Sequence, residues 1–334
     1  MNVRSLGLKT LRSIAGKNTR LERYLRGRHR IARQNQVSRL DGKGFTQISG
    51  ENFVVIRSSS DPEPRRGIIL KGGCDLPSVF VAGRLIREDI RGSVAIFRQG
   101  TPGELGSHRS DQILQTLRTI PEEHVAEAVR MLHLGPDYFS PRLFTDTEFS
   151  ITAPRPLPNF PKTVVVLSIG SDLVRTVYRH KEHGYLVDPG GFWLNQLTDK
   201  VIPDPEIAKW FKSNFVNAGR ISVQEFTDNY DQIATLVRQN TGAHLIVFNT
   251  LVVDPLNPTY NYNLARDSQA IRRREFNIAL KELSAKHGFH VLDVDRILKN
   301  QGVRGQVDFA HFPVEKMEPI GREAHRILKE LEVV

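Results

Sequence analysis

A single cysteine, Cys74, stands among 334 residues, so no internal disulfide can frame this fold, and a reducing, cytoplasmic setting is the expected one. No window approaches eighteen consecutive apolar residues, and the basic N-terminus lacks the unbroken apolar run of a secretory signal. Neither a spanning helix nor a standard export signal is therefore expected. Internal repeats, low-complexity tracts, zinc-finger spacings, a His-Glu-x-x-His string and a phosphate-binding glycine loop are all missing. What is present is ordinary globular composition, 39% hydrophobic and 25% charged. That excludes collagenous, disordered and small stapled chains and allows a full hydrophobic core.

The charge is unevenly placed. Residues 1–40 hold eleven Lys or Arg against one acid, Glu22, and carry the whole net +10; the other 36 basic and 36 acidic residues cancel. Leu8, Leu11, Leu21, Tyr24 and Leu25 recur at roughly helical spacing among the arginines, so the arm reads as basic and weakly amphipathic, helical or disordered. Its readings are a solvated tail, a surface that meets an anionic membrane face, an Arg-rich transit segment, or a contact for nucleic acid phosphates. Nucleic acid is the weakest, because no aromatics interleave with the arginines as a base-stacking platform requires.

Residues 41–66 form a turn-rich connecting segment with one short strand at 53–57, and 67–334 read as an α/β domain. Its strands are the apolar runs at 67–70, 93–97, 163–169, 244–248 and 290–294, short and mostly β-branched, as strands buried on both faces should be. Helices are expected at 110–118, 121–132, 223–239, 268–287 and 319–331. In the fourth of these, Ile271, Phe276, Ala279, Leu280 and Leu283 form an apolar stripe beside Arg272, Arg273, Arg274, Glu275 and Lys281. Strand alternating with helix predicts a three-layer α/β/α sandwich on a mainly parallel five-stranded sheet, with function at the carboxyl ends of the strands.

Chemistry-bearing residues stand at those ends. The first strand runs into Lys71, Gly72, Gly73, Cys74, Asp75, Leu76. A glycine-rich turn of this kind can expose a nucleophile, and a following helix N-terminus would favour the thiolate; a small buried thiol is the plainer reading. The second strand ends near Gly100, whose amide suits either an oxyanion or a simple turn. The third ends in Ser168, Ile169, Gly170, Ser171, Asp172. The fifth carries Asp293 and is followed by Asp295, which reads as a cap of the next segment rather than as a chemical group. Last comes Asp308, Phe309, Ala310, His311, where the carboxylate can orient the imidazole.

In this order the features resemble the motif blocks of the SGNH, or GDSL-like, hydrolase superfamily over residues 67–331. The resemblance implies a flavodoxin-like sheet and an acyl-transfer site. Cys74 would take the place of the usual serine nucleophile, with His311 as base and Asp308 orienting it. The oxyanion would meet the amides of Cys74 and Gly100 and the third-block residues Ser171 and Asp172. The family's third block offers an asparagine donor, whereas an ionised Asp172 only accepts. Cysteine points to a thioester intermediate, and cysteine-bearing relatives occur among polysaccharide-biosynthesis acyltransferases. The implied substrate is an ester or thioester, with water or a sugar hydroxyl as acceptor; no motif asks for a cofactor. A catalytically silent SGNH-like binding domain is the alternative.

Other residues complete the reading. His180 and His183 have the spacing of a metal-ligand pair but lack a third ligand, so no metal site is expected and a charged loop is the simpler role. Arg175, with Arg179 and Lys181, is a candidate contact for an anionic acceptor. Trp193 either lines a pocket or seals the core.

Overall fold

The computed structural model describes residues 36–40, 45–49, 53–58, 66–73, 75–77, 79–80, 94–98, 109–118, 120–134, 138–149, 159–189, 202, 204–252, 269–302 and 317–334. Its main sheet follows the order β1 (Gln36–Leu40), β2 (Phe45–Ser49), β3 (Phe53–Ser58), β5 (Val94–Arg98), β4 (Arg66–Lys71), β7 (Phe160–Ser168), β11 (His244–Phe248), β12 (His290–Leu292), and β6 (Glu148–Phe149) adds to β7. The five strands from β5 to β12 are mutually parallel. These are the five strands expected from the apolar runs, now in a 2-1-3-4-5 order.

The antiparallel pairs β1–β2, β2–β3 and β3–β5 extend the sheet beyond β5. Only β3 has an apolar run to announce it. Gln36–Leu40 is a strand within the stretch read as basic arm, and residues 1–35 of that arm lie outside the described residues.

Alternation along the strands divides the core in two. Ile69, Val165, Leu167 and Val247 face one layer, while Ile68, Leu70, Val164, Val166 and Phe248 face the other. Side chains one residue apart point to opposite faces of a strand, so a sheet apolar at every position must be covered on both sides. The first face is covered by α7 (Val223–Thr241), through Phe226, Tyr230 and Ile233, and by α8 (Gln269–His287), through Phe276, Leu280 and Leu283. Helix α7 starts at a reciprocal cap: Ser222 Oγ accepts from the Glu225 amide, and the Glu225 carboxylate accepts from the Ser222 amide. The opposite face is covered by α9 (Val294–Asn300) and α10 (Met317–Glu330), with Ile320, Ala324, Ile327 and Leu328 turned inward. Asp293 caps α9 by accepting from the Arg296 amide, so the fifth parallel strand ends at Leu292, while Asp295, the expected cap, lies inside α9 and accepts from the Val252 amide.

A satellite unit follows β7. The small sheet β10–β8–β9, built from β8 (Tyr178–His180), β9 (Leu186–Val187) and β10 (Phe215–Asn217), packs with α3 (Glu122–Leu132) and α6 (Pro205–Asn214) around Tyr178, Tyr185, Phe211 and Phe215.

The first turn of α8 departs from its expected facing. Ile271 stands 53% exposed, whereas Arg272 and Arg273, expected on the solvent side, are buried. The cause is the backbone acceptors waiting at the sheet's carboxyl edge. Arg272 donates to the carbonyls of Asp172 at 3.0 Å and Ile221 at 2.6 Å, and its guanidinium lies 4.4 Å from the Phe276 ring centroid. Arg273 donates to Thr250 Oγ1 and to the Leu251 carbonyl. Buried guanidinium groups need such acceptors, and a helical hydrophobic count does not see them.

One glycine shows how closely β4 is held. A Cβ at Gly67 would stand 2.3 Å from Phe149 Cε1 and 2.6 Å from the Pro161 carbonyl oxygen. Backbone cannot step aside as a flexible side chain can, so Gly67→Ala is expected to cost about 2 kcal/mol or more in urea unfolding. An unchanged midpoint would show that β4 and β7 are not packed this tightly.

Candidate functional site

The strand order itself marks the place. The chain passes from β4 to β5 on one side and then returns to form β7 on the other, so the topological switch point lies between β4 and β7. Crevices at such points, outside the carboxyl ends of the strands, are where open α/β sheets bind ligands. The Gly72–Leu76 turn leaves β4 at that edge, and the Ser168–Asp172 segment leaves β7 beside it.

The two segments touch. Ser168 Oγ donates to Asp75 Oδ2 at 2.5 Å, and the Gly170 amide donates to Ser168 Oγ at 3.2 Å. Gly72 is required by the same approach: a Cβ there would stand 2.7 Å from Leu76 Cδ1 and 3.0 Å from Ser168 Cβ. The helix described just after the turn, α1 (Asp75–Pro77), has three residues.

Helix α5 (Gly170–Val174) carries Ser171 and Asp172, both buried. Asp172 Oδ1 accepts from the Ser110 amide at 2.7 Å and from Ser110 Oγ at 2.6 Å, at the start of α2 (Ser110–Gln115). Its other oxygen, Oδ2, is buried with no hydrogen-bond partner among the described residues. Burial is the main reason that the Asp172 carboxyl is pushed up to about 7, against which the two Ser110 hydrogen bonds act. At neutral pH the group is therefore partly protonated, rather than the fully ionised acceptor expected from the sequence. Its side chain braces α2 instead of opening to solvent. Tyr230, also fully buried with an unpartnered hydroxyl, is raised well above its ordinary pKa by burial and by Asp172 and Asp75.

Arg175 has a different task from the expected contact with an anionic acceptor. Its Nε and Nη2 hold Asp188 Oδ2 and Oδ1 at 2.6 and 2.8 Å, a bidentate pair. The Asp188 side chain is completely buried and that of Arg175 is 14% exposed. A carboxylate so placed needs its guanidinium, and the pair ties the third-block segment to the satellite sheet. Arg109 supports the same junction by pairing with Asp111 and donating to the Gly219 carbonyl at 2.8 Å. Of the other two expected acceptor contacts, Arg179 donates to the Gly184 carbonyl, and Lys181 to the carbonyls of Lys212 and Ser213.

His180 and His183 belong to the β8–β9 hairpin. Their rings stack at 5.0 Å, and His183 stacks in turn on His124 at 4.0 Å. Parallel rings do not aim their nitrogens at one point, and His180 Nδ1 accepts from the His183 amide at 3.1 Å. Burial, followed by His183, lowers the pKa of His180. Among the described residues no group of three or more His, Cys, Asp or Glu is arranged to hold a metal ion. Also among the described residues, no helix is long and apolar enough to cross a membrane.

Cys74, Gly100, Trp193, Asp308 and His311 lie outside the described residues. Of the expected site the structure thus brings together the flanks of the first block and the third block. The Asp75–Ser168 contact, the Ser110 donors to Asp172 and the Arg272 clamp on the Asp172 carbonyl have no local signature in the sequence.

No protein-family model and no curated protein matches the sequence. Among solved structures the chain is similar to an alpha/beta hydrolase enzyme from the metagenome of Lake Arreo, with 10% identity over 80% of this chain and 95% of that one, at a TM-score of 0.41. It is also similar to an acetylxylan esterase from Geobacillus stearothermophilus, with 9% identity over 80% and 94% at a TM-score of 0.38. A phospholipase A1 from Streptomyces albidoflavus gives 12% identity over 77% and 98% at 0.34. These likenesses are remote, and the residues of this chain decide its chemistry.

The placement of Asp172 sets a pH dependence. Its carboxyl is raised in the fold from 3.8 to about 7, so the native state binds the proton more tightly than the unfolded chain. This contribution to stability is full below about pH 4 and is lost as the pH rises through about 7. Between pH 5 and 8 the loss should reach up to roughly 3 kcal/mol. Asp172→Asn keeps an oxygen for Ser110 and should flatten the profile in urea titrations; an equally steep profile in the variant would assign the dependence to other groups.

Proposed function

We propose that the chain is an acyl-transfer enzyme acting on an ester or thioester through Cys74, His311 and Asp308. The observation that supports it is the meeting of the Gly72–Leu76 turn with the end of β7 at the switch point, where the order of the motif blocks requires nucleophile and oxyanion donors to meet. Cys74 Sγ attacks the acyl carbonyl and forms a thioester, while the bond to the leaving group breaks. His311 takes the thiol proton and delivers it to that leaving group, and Asp308 holds the imidazole in the needed tautomer. A second hydroxyl, of water or of a saccharide, then attacks the thioester; its proton passes through His311 back to sulfur.

The oxyanion is met by the amides of Cys74 and Gly100 and by the Ser171 hydroxyl, since Asp172 is engaged with Ser110. Trp193 lines the acceptor side. The enzyme works in a reducing, cytoplasmic compartment, with residues 1–40 holding it at an anionic membrane or polymer.

A second reading, a silent binding domain of the same fold, draws support from the buried Asp172 where an asparagine donor would be expected. Intact-mass measurement after brief exposure to activated acyl esters and thioesters separates the two. The native chain should gain one acyl mass that Cys74→Ala abolishes, and His311→Ala should slow its formation about a hundredfold or more. No adduct from any donor, with slow alkylation of the thiol, would favour the binding domain.

The arm has its own test. Removing residues 1–35, which leaves β1 in the sheet, should abolish binding to vesicles containing anionic lipid, and raising the salt should weaken binding by the whole chain. Unchanged binding after the deletion would refute the role.

A further inference from the structure

We propose that Asp75 and Ser168 are a positioning pair for acyl transfer, fixing the turn that presents Cys74 through the Ser168 hydroxyl and the Asp75 carboxylate. The inference rests on the reading of Cys74 as nucleophile and names what holds it in place.

The pair connects parts of the chain 93 residues apart. Ser168 is the last residue of β7 and is buried, so its hydroxyl stands on the rigid centre of the sheet. It receives the Gly170 amide and donates onward to Asp75 Oδ2. This fixes its direction: an oxygen that accepts from Gly170 and gives its only proton to a carboxylate has a defined rotamer. The other Asp75 oxygen, Oδ1, lies close against Gly73, 2.9 Å from where a Cβ on that residue would stand. Leu76, fully buried in the core opposite α7, and Gly72, against Ser168 Cβ, close the turn from its other sides.

Residue 74 is thereby bracketed in sequence by neighbours that contact the end of β7. A nucleophile must sit within a fraction of an ångström of its attack geometry, and loosening a supporting contact slows chemistry more than binding.

The test compares single-turnover acylation of the full chain, followed by intact mass over a range of activated thioester, for Ser168→Ala, Asp75→Ala, Asp75→Asn and Val165→Ala. Val165 is fully buried in the middle of the same strand and serves as a control for lost stability. Urea midpoints are measured alongside. Ser168→Ala and Asp75→Ala should lower the limiting rate about tenfold or more, with half-saturation moving less than about threefold. Asp75→Asn, which still offers an oxygen to Ser168, should recover to within about threefold of the native rate. Native rates in Ser168→Ala, or an equal slowing in Val165→Ala, would overturn the pair. If the native chain takes no acyl group at all, the acyl-transfer reading has failed by itself. Alkylation by iodoacetamide at fixed pH then decides the pair: a rate changed about fivefold in Ser168→Ala but not in Val165→Ala upholds its hold on the turn, and equal rates refute it.

Discussion

The parallel pairing of β4 with β7 is the constraint on which the rest of this structure depends. It places two strands distant in sequence side by side at the centre of the sheet, with register Ile68 to Val164 through Lys71 to Leu167. Each strand is apolar on both faces, so the pairing requires helices above and below, and α7, α8, α9 and α10 meet that demand. The pairing also brings the two strand ends together at the switch point. A one-residue slip would turn the side chains of either strand to the wrong layer and carry Ser168 away from Asp75.

Polar groups at this edge are arranged in three tiers. Nearest the crevice, Ser168 connects Asp75 to the Gly170 amide. Behind it, Ser110 holds Asp172, and Arg272 holds the Asp172 carbonyl from α8. Farther out, Arg175 and Asp188 secure the satellite sheet. These are hydrogen bonds to buried groups, and in low dielectric such contacts specify one arrangement strongly because the cost of leaving any member unmade is high. Among the described residues, Asp172 Oδ2 and the Tyr230 hydroxyl are two of several buried polar atoms without a hydrogen-bond partner, Thr176 Oγ1 and Trp210 Nε1 being others.

The legible parts of the fold were those with a strong local pattern. The runs at β4, β5, β7, β11 and β12 are apolar and largely β-branched, and the helices between them carry their own stripes or caps. Strands β1 and β2 were missed because their sequences, QVSRL and FTQIS, mix polar with apolar residues and hold no continuous apolar run. Strands β8, β9 and β10 have two or three residues each, too few for any periodicity. The facing of Arg272 and Arg273 was misjudged for a different reason: their partners are the Thr250 hydroxyl and backbone carbonyls on the segment after β11, on α5 and on the approach to α7, which a helical wheel does not contain.

The sequence by itself determined the class of fold, the five central strands, the place of Cys74 on a glycine turn and the order of the blocks, because alternation, propensity and turn chemistry are local properties of the chain. Only the tertiary structure decided that the β4 and β7 ends meet through Asp75 and Ser168, that Asp172 is withdrawn to Ser110, and that Arg175 belongs to Asp188. Those choices depend on which distant groups share a desolvated space, where an unmade hydrogen bond or an unpaired charge is costly. That cost is a property of the assembled packing and has no counterpart in any short stretch of sequence.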